Sequence, residues 1–360
     1  MTERILAASS PGEVRVAVLL DGQLLDYAIW RPGAPDGVGD VSRGRVVARV
    51  PAMAGTFVAL DDTEGFLPDS EGGEGLSVGD LIWVRVTRAG QGGKGPRLTV
   101  LPAASLAERG PGALLELAQR FRQAPVLTDD AALAARLRPV LAERLQVVPG
   151  SFEEIEEQAD ALAQSDVALP AGMRLRIHPT PALVAIDIDL GGALASGGRK
   201  DATHFALNWA VLPALARQIR LRNLSGAILV DFAGLPARRR RSLAPALHTA
   251  LAGDPLRPRL LGFTNLGLAE IVRPRVHPPL HEMLAGPHAA GLAALRRIAS
   301  EVAAAPRSEP MLRASPAVLS ALQADPDALA DLARRTGRAL IMRSDPSFSA
   351  AEWTLEDRHA

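Results

Sequence analysis

The stretch AIDID, Ala185–Asp189, is an apolar run that carries one carboxylate at its centre and another at its end. A second apolar run further along the chain, Ala227–Phe232, also closes on an aspartate. Apolar runs rich in β-branched residues predict buried strands. Residues 203–223 between them have helical periodicity, which predicts a strand, loop, helix and strand unit with two parallel, adjacent strands.

Three carboxylates converge in this prediction. Asp187 and Asp231 lie at the carboxyl ends of neighbouring strands, where α/β sheets bind ligands, and Asp189 shares a face with Asp187. An ionised group there is costly unless something pairs with it, and two or three carboxylates without a matching base are typical of a hard-cation site, most naturally Mg²⁺. The alternative is that each aspartate only caps a strand or helix, which explains one aspartate better than a pair. We therefore take Asp187, Asp231 and Asp189 as a candidate Mg²⁺ site and as the candidate catalytic residues.

The composition limits the class of protein. A chain of 360 residues predicts two or three domains, and the absence of cysteine excludes disulfides and thiolate metal sites. No apolar run is long enough to span a bilayer and no signal peptide is recognisable, so we expect a cytoplasmic protein without a membrane partner. Lysine plus arginine and aspartate plus glutamate number 40 each, which argues against a uniformly basic nucleic-acid binder. The arginines nevertheless cluster at 217–222 and 238–241, as in an enzyme whose groove alone is positive.

Short strands with turn signals between them predict a small β-barrel of the oligonucleotide-binding type (OB-fold). They are expected at 44–50, 55–60, 65–68, 80–86 and 96–100. Phe57 and Phe66 lie on neighbouring strands, with Arg43, Arg45 and Lys94 near them in sequence. Aromatic rings surrounded by cations are how single-stranded nucleic acid is held, although the two rings could instead fill the barrel core. Beyond the barrel, residues 114–163 have a helical pattern.

Taken together, these motifs resemble the catalytic region of the bacterial ribonuclease E/G family, nearly from end to end. The similarity is carried by Arg43–Val46, Thr56–Val58, Gly65–Pro68, Lys94-Gly95, Ala185–Ile188, Gly197-Gly198, Ala216–Gly226, Val230–Phe232 and Leu266–Glu270. The resemblance implies an α/β multidomain fold: an RNase H-like subdomain (1–38 and 104–165) split by the OB-fold barrel (39–103). A DNase I-like α/β catalytic domain (166–288) and a small C-terminal α/β domain (289–360) follow.

The same resemblance implies a function. It is Mg²⁺-dependent hydrolysis of internal phosphodiesters in single-stranded, A/U-rich RNA, leaving 5′-monophosphate ends, in RNA processing or decay. It assigns Mg²⁺ to Asp187 and Asp231, and contact with RNA to Phe57, Phe66 and Lys94. From their charge, we also expect cations of the two arginine clusters to neutralise phosphates, although a solvated helix face explains the second cluster equally well. These cations are Arg220, Arg222 and Arg238.

Four departures from the family pattern are visible. The chain has no room for the segment that senses the RNA 5′ end, and it lacks the family's zinc-binding cysteines, so any homo-oligomer forms without a zinc link. His277 and His281 lie near the equivalent region, but the two prolines between them prevent a helical metal pair. Asp189 stands where asparagine is usual, and Gly234 and Asn265 also differ from the pattern. The alternative function is therefore a catalytically degenerate RNA-binding protein; a DNA nuclease on the same scaffold is a third reading.

Overall fold

The computed structural model describes residues 2–103, 106–191 and 200–357, so the Gly197-Gly198 motif lies outside the described residues. The chain begins with an antiparallel meander, β1 (Glu3–Ser10), β2 (Glu13–Leu20) and β3 (Gln23–Trp30). Asp21 and Gly22, both with positive φ, form the tight turn between the second and third strands, where such backbone angles match strand twist.

The predicted five-stranded barrel is present and closed, with strand order β4-β5-β6-β8-β7. Its strands are β4 (Val41–Val50), β5 (Gly55–Ala59), β6 (Glu64–Pro68), β7 (Leu81–Arg88) and β8 (Arg97–Leu101). Val58, Leu67 and Leu98 are fully buried at its centre. The OB-fold assignment itself stays a prediction.

The segment after the barrel is less helical than expected. It contains α1 (Gly112–Arg120), β9 (Val126–Thr128), α2 (Ala131–Leu141), β10 (Leu145–Val147) and α3 (Glu156–Ala161). The two strands extend the N-terminal meander into a five-stranded sheet of order β10-β9-β1-β2-β3. A strand of three residues is too short to show an alternating pattern, which is why the sequence did not reveal it.

A six-stranded mixed sheet of order β11-β12-β13-β14-β16-β15 forms the central unit. Its elements are β11 (Asp166–Ala168), β12 (Arg174–Pro179), β13 (Val184–Asp189), α4 (Lys200–Leu221), β14 (Gly226–Asp231), α5 (Ala237–Arg241), α6 (Ala244–Leu251), β15 (Arg259–Phe263), β16 (Ala269–Arg273) and α7 (Leu280–Met283). Apolar residues of α4, among them Leu212, Leu215 and Ile219, are fully buried against the sheet. This packing holds α4, the helix that connects β13 to β14 in the chain, against the sheet. The order of strand, helix and strand is the one predicted.

The last unit is a three-stranded sheet covered by helices. It contains α8 (Gly286–Ala304), β17 (Pro310–Ala314), α9 (Pro316–Gln323), α10 (Pro326–Thr336), β18 (Ile341–Ser344) and β19 (Trp353–Asp357), with strand order β18-β17-β19. The described chain is thus a mixed α/β protein with a closed barrel and several sheets, whereas the RNase H-like and DNase I-like assignments and the domain boundaries stay predictions. In the described part of the chain, no helix combines the length and apolarity needed to cross a membrane.

Polar contacts join the units, among them those of Arg217 and His277. Arg217 at the end of α4 donates to the carbonyl of Leu24 in the N-terminal sheet. His277, after β16, lies between Asp36 and Glu116, with nitrogen to carboxylate distances of 2.6 and 3.1 Å. Burial alone would lower the pKa of His277, but its hydrogen bonds with the two carboxylates raise the pKa to about 10. The imidazolium is therefore a charged link between the central unit and the segments on either side of the barrel.

Candidate active site

The two aspartates lie side by side at the carboxyl ends of the central strands. β13 and β14 are parallel neighbours and their register aligns Asp187 with Asp231, which confirms the predicted convergence. Neighbouring strands are about 4.8 Å apart, so the two carboxylates reach the same small volume. Both side chains are half-exposed, at 47% for Asp187 and 49% for Asp231. The pair is open to a ligand from solvent.

Two arginines accompany the carboxylates, so the expectation of a cluster without a matching base is wrong. Arg176 lies opposite Asp187 on β12 and donates to Asp189 at 3.0 Å and to Asp187 at 3.5 Å. Arg240 on α5 pairs with Asp231 and also donates to the carbonyl of Leu235. Neither pairing could be predicted from the sequence, because one arginine comes from a neighbouring strand and the other from a separate helix.

The donor set suits a hard cation. Asp187 and Asp231 offer only carboxylate oxygens, and Mg²⁺ is usually held by one or two carboxylates while water and substrate phosphate complete its shell. Asp189 is less available, because its Oδ1 accepts from the Gly191 amide at 2.9 Å and its Oδ2 from Arg176. No group of three or more histidine, aspartate or glutamate side chains placed to hold a metal occurs within residues 2–103, 106–191 and 200–357. A cation here would therefore depend on two protein carboxylates.

Helix α4 fixes the loop that follows Asp231, through two residues that the sequence reading missed. Asn208, fully buried, donates to the carbonyl of Ala233 at 2.9 Å, and His204 Nδ1 lies 3.0 Å from the carbonyl of Gly234. A Cβ on Gly234 would lie 2.2 Å from that imidazole, and its φ of +64° also favours glycine. The packing of His204 thus gives a physical reason for glycine at this departure from the family pattern. In the sequence, Asn208 is a polar residue on an otherwise apolar helix face. That pattern could have identified it, because a polar side chain buried there needs hydrogen-bond partners.

The barrel presents an aromatic pair on its surface. Phe57 and Phe66 face each other in the register of β5 and β6, with ring centroids 5.5 Å apart in an edge-to-face arrangement. Neither ring belongs to the barrel core, and both are partly exposed. A Cβ on Gly55 would lie 2.4 Å from the ring of Phe66, so glycine makes room for that ring. The position agrees with a stacking surface and not with core filling.

The surface of the barrel also carries exposed cations. Arg43, Arg45 and Lys94 are all exposed, and Arg97 lies beside Phe66 in the sheet register. Arg88, which the sequence reading did not select, has a lowered pKa, first because of burial and then because of the nearby charges of Arg275 and Arg97. The Ala89 amide donates to the carbonyl of Val276 at 2.9 Å. The basic edge of the barrel therefore continues onto the central unit.

Two of the arginines predicted to contact phosphates have partners within the protein. Arg222 is 6% exposed and donates to the carbonyls of Leu162 and Gln164 at 2.7 and 2.6 Å. Arg220 pairs with Asp26 and donates to the carbonyl of Gly253. Both guanidinium groups hold units of the protein together, which argues against the predicted contacts with RNA. Burial lowers the pKa of Arg222 to about 10.

The second arginine cluster is different. Arg238, Arg239 and Arg241 of α5 are exposed, whereas Arg240 turns inward to Asp231. The assignment of Arg238 to RNA binding stays a prediction, and its exposure beside the carboxylate pair is compatible with it.

Comparison with known proteins confirms the resemblance seen in the motifs. The model of the ribonuclease E/G family matches residues 132–276, which contain the aspartate strands and α4 but not the barrel. Ribonuclease E of Escherichia coli is 35% identical over 156 residues, covering 42% of this chain and 15% of the relative. Ribonuclease G of Salmonella typhimurium is 28% identical over 217 residues, covering 56% and 44%. Ribonuclease E of Nostoc is 36% identical over 118 residues, covering 32% and 17%.

The match is thus narrower than the nearly end-to-end resemblance drawn from motifs. The chain spans less than half the length of each of these curated relatives. The similarity to ribonucleases E and G is confined to part of the chain, chiefly the central unit, and the activity of the whole chain is a matter for proposal.

Proposed function

We propose that this chain is an endoribonuclease that uses Mg²⁺ to hydrolyse internal phosphodiesters of single-stranded, A/U-rich RNA and leaves 5′-monophosphate ends. The observation that carries the proposal is the alignment of Asp187 with Asp231 at the open ends of two parallel strands. The similarity of residues 132–276 to ribonucleases E and G supports it. Action in cytoplasmic RNA processing or decay, and the domain boundaries given above, are parts of the same proposal.

Asp187 and Asp231 would hold the cation, with Asp189 as a neighbouring charge. When bound there, Mg²⁺ would polarise the scissile phosphate and lower the pKa of a coordinated water molecule. The protein supplies the rest: two carboxylates fixed by strand register, and two guanidinium groups beside them. Arg176 and Arg240 orient the carboxylates and lie where the negative charge of an RNA phosphate would arrive, so we assign them to substrate positioning.

The barrel supplies affinity for unpaired RNA in this proposal. Bases stack on Phe57 and Phe66 at about 1–3 kcal/mol per base, a contact that a base-paired strand does not offer. Arg43, Arg45 and Lys94 contact the phosphates, which makes binding dependent on salt. The continuity of this basic edge with the central unit, through Ala89 and Val276, supports one strand of RNA passing from barrel to carboxylates.

Cleavage of a 5′-labelled, unstructured A/U-rich RNA tests the proposal. The wild type should cut internally with Mg²⁺ and not with EDTA, and Asp187→Asn and Asp231→Asn should abolish the cuts. Asp166→Asn is the matched control, since Asp166 is an ion-paired aspartate at the edge of the same sheet. Downstream products should be degraded by a 5′-monophosphate-dependent exonuclease. Cleavage that persists in EDTA or in both variants would refute the assignment.

One observation favours a second function. Arg176 and Arg240 already neutralise the carboxylates, which a pure RNA-binding protein descended from a nuclease could retain as simple ion pairs. Wild-type protein that binds the RNA but never cuts it would establish this alternative. Cleavage of single-stranded DNA at a similar rate would instead indicate a nuclease without sugar discrimination.

A further inference from the structure

An aromatic pair lies on α4, outside the barrel. Phe205 and Trp209 are four residues apart on one helix face, with ring centroids 5.9 Å apart and planes tilted by 43°. Trp209 is 47% exposed, and it is the one aromatic ring among the large apolar side chains exposed in the described residues. A single exposed apolar side chain is ordinary, but Trp209 is exposed beside a second ring, and two adjacent rings offer a flat apolar surface.

An arginine of α5 lies against this pair. The guanidinium of Arg239 lies over the Phe205 ring, 5.0 Å from its centroid. Arg238 and Arg241 are exposed on the same short helix, and among the described ion pairs only Arg240 of this cluster meets a carboxylate. An aromatic face with free cations beside it suits a polyanion that also carries flat, apolar rings.

Contacts also link the pair to the elements that carry Asp231. Arg239 contacts Phe205 while the next residue, Arg240, pairs with Asp231. On the other side, Asn208, adjacent to Trp209, is bonded to the loop that follows Asp231. The aromatic pair is therefore fixed to the same loop and helix that carry one side of the candidate active site.

We propose that Phe205, Trp209 and Arg239 form a second stacking site, which holds one unpaired base of an RNA strand beside the Asp187 and Asp231 pair. The inference rests on the proposed function. The base lies on the open face of Trp209, and Arg238 and Arg239 meet the flanking phosphates. With the barrel pair on one side and this site on the other, the strand is held across the carboxylates, and duplex RNA, whose bases are not free, is rejected.

Fluorescence anisotropy with a labelled, unstructured RNA, in EDTA so that no cleavage occurs, tests the site. Trp209→Ala should weaken binding by roughly 5- to 150-fold, the range of one lost stacking contact. Trp209→Phe, which keeps a ring, should stay within about threefold of wild type, and so should the control Val140→Ala, an exposed apolar residue on α2. Thermal unfolding of each variant shows that the fold is intact.

A second measurement identifies the ligand group. RNAs with a single abasic position, moved along the strand, should include one that weakens binding by wild type but not by Trp209→Ala. An unchanged affinity in Trp209→Ala, or an abasic profile identical to that of wild type, overturns the stacking site and leaves a surface for a protein partner. Failure of the wild type to bind any single-stranded RNA would instead overturn the proposed function, so the two failures are distinguishable.

Discussion

Replacing Arg222 with methionine tests whether this arginine stabilises the fold or binds RNA. Arg222 donates to the carbonyls of Leu162 and Gln164, to that of Ala161 at 3.3 Å, and to Gln218 Oε1 at 2.9 Å. These carbonyls lie at the C-terminal end of α3, where a positive charge is favourable. Methionine fills part of the same volume but donates nothing.

The expected loss of stability comes from the backbone carbonyls that lose their hydrogen-bond donor. A buried acceptor that loses its partner costs about 1–3 kcal/mol, which applies in full to the buried bond with Leu162 and only in part to the part-buried bond with Gln164. We therefore expect Arg222→Met to lower the free energy of unfolding by about 2–4 kcal/mol, out of a typical total of about 5–15 kcal/mol. Urea unfolding followed by far-UV circular dichroism measures the change.

Arg238→Met is the matched control, because Arg238 is an exposed arginine of the other cluster. It should change stability by less than about 0.5 kcal/mol, and should weaken RNA binding and reduce its salt dependence. Folded Arg222→Met should bind RNA as wild type does. A stable Arg222→Met protein with weakened, less salt-dependent RNA binding would refute the architectural role.

Two further predictions follow from single sites. Because the folded pKa of His277, about 10, lies above the ordinary value of 6.5, its stabilisation is complete below pH 6.5 and is lost as the pH rises toward 10. The stability difference between wild type and His277→Gln in urea unfolding should therefore be larger at pH 6 than at pH 9.5; an equal difference would contradict the charged link. Gly55→Ala places a Cβ 2.4 Å from the Phe66 ring and 2.8 Å from the Leu67 carbonyl, so it should displace the ring, destabilise the barrel by about 1–3 kcal/mol and weaken RNA binding. Gly253→Ala, where a Cβ meets open space, is its control, and equal RNA affinities of the two variants would argue against stacking on Phe66.

The convergence of Asp187 and Asp231 could be predicted because it follows from one local rule. Two apolar strands joined by a helix are parallel and adjacent, so residues at their ends meet. The barrel could be predicted for a similar reason, since five short alternating runs with turns between them have few other solutions. Both inferences use contacts that are near in sequence or fixed by strand register.

The partners of charged side chains could not be predicted in this way. Sequence shows that Arg222 and Arg238 are cations, but burial against the end of α3 or exposure on α5 depends on how whole units pack. Arg176 and Arg240 likewise reach the carboxylates from other elements. The three-residue strands β9 and β10 were missed because pairing defines them, β9 with β1 and β10 with β9, and their own sequence pattern does not.

Single-turnover cleavage by Asp187→Asn, Asp231→Asn and the double variant tests the central claim most directly. If the two carboxylates hold one cation, each single change removes the same function. We therefore expect each to slow cleavage by at least about 10³-fold, and the double variant to be at most about tenfold slower than either. Losses that multiply in the double variant, or single variants that cut within tenfold of the wild-type rate, would contradict a shared metal site.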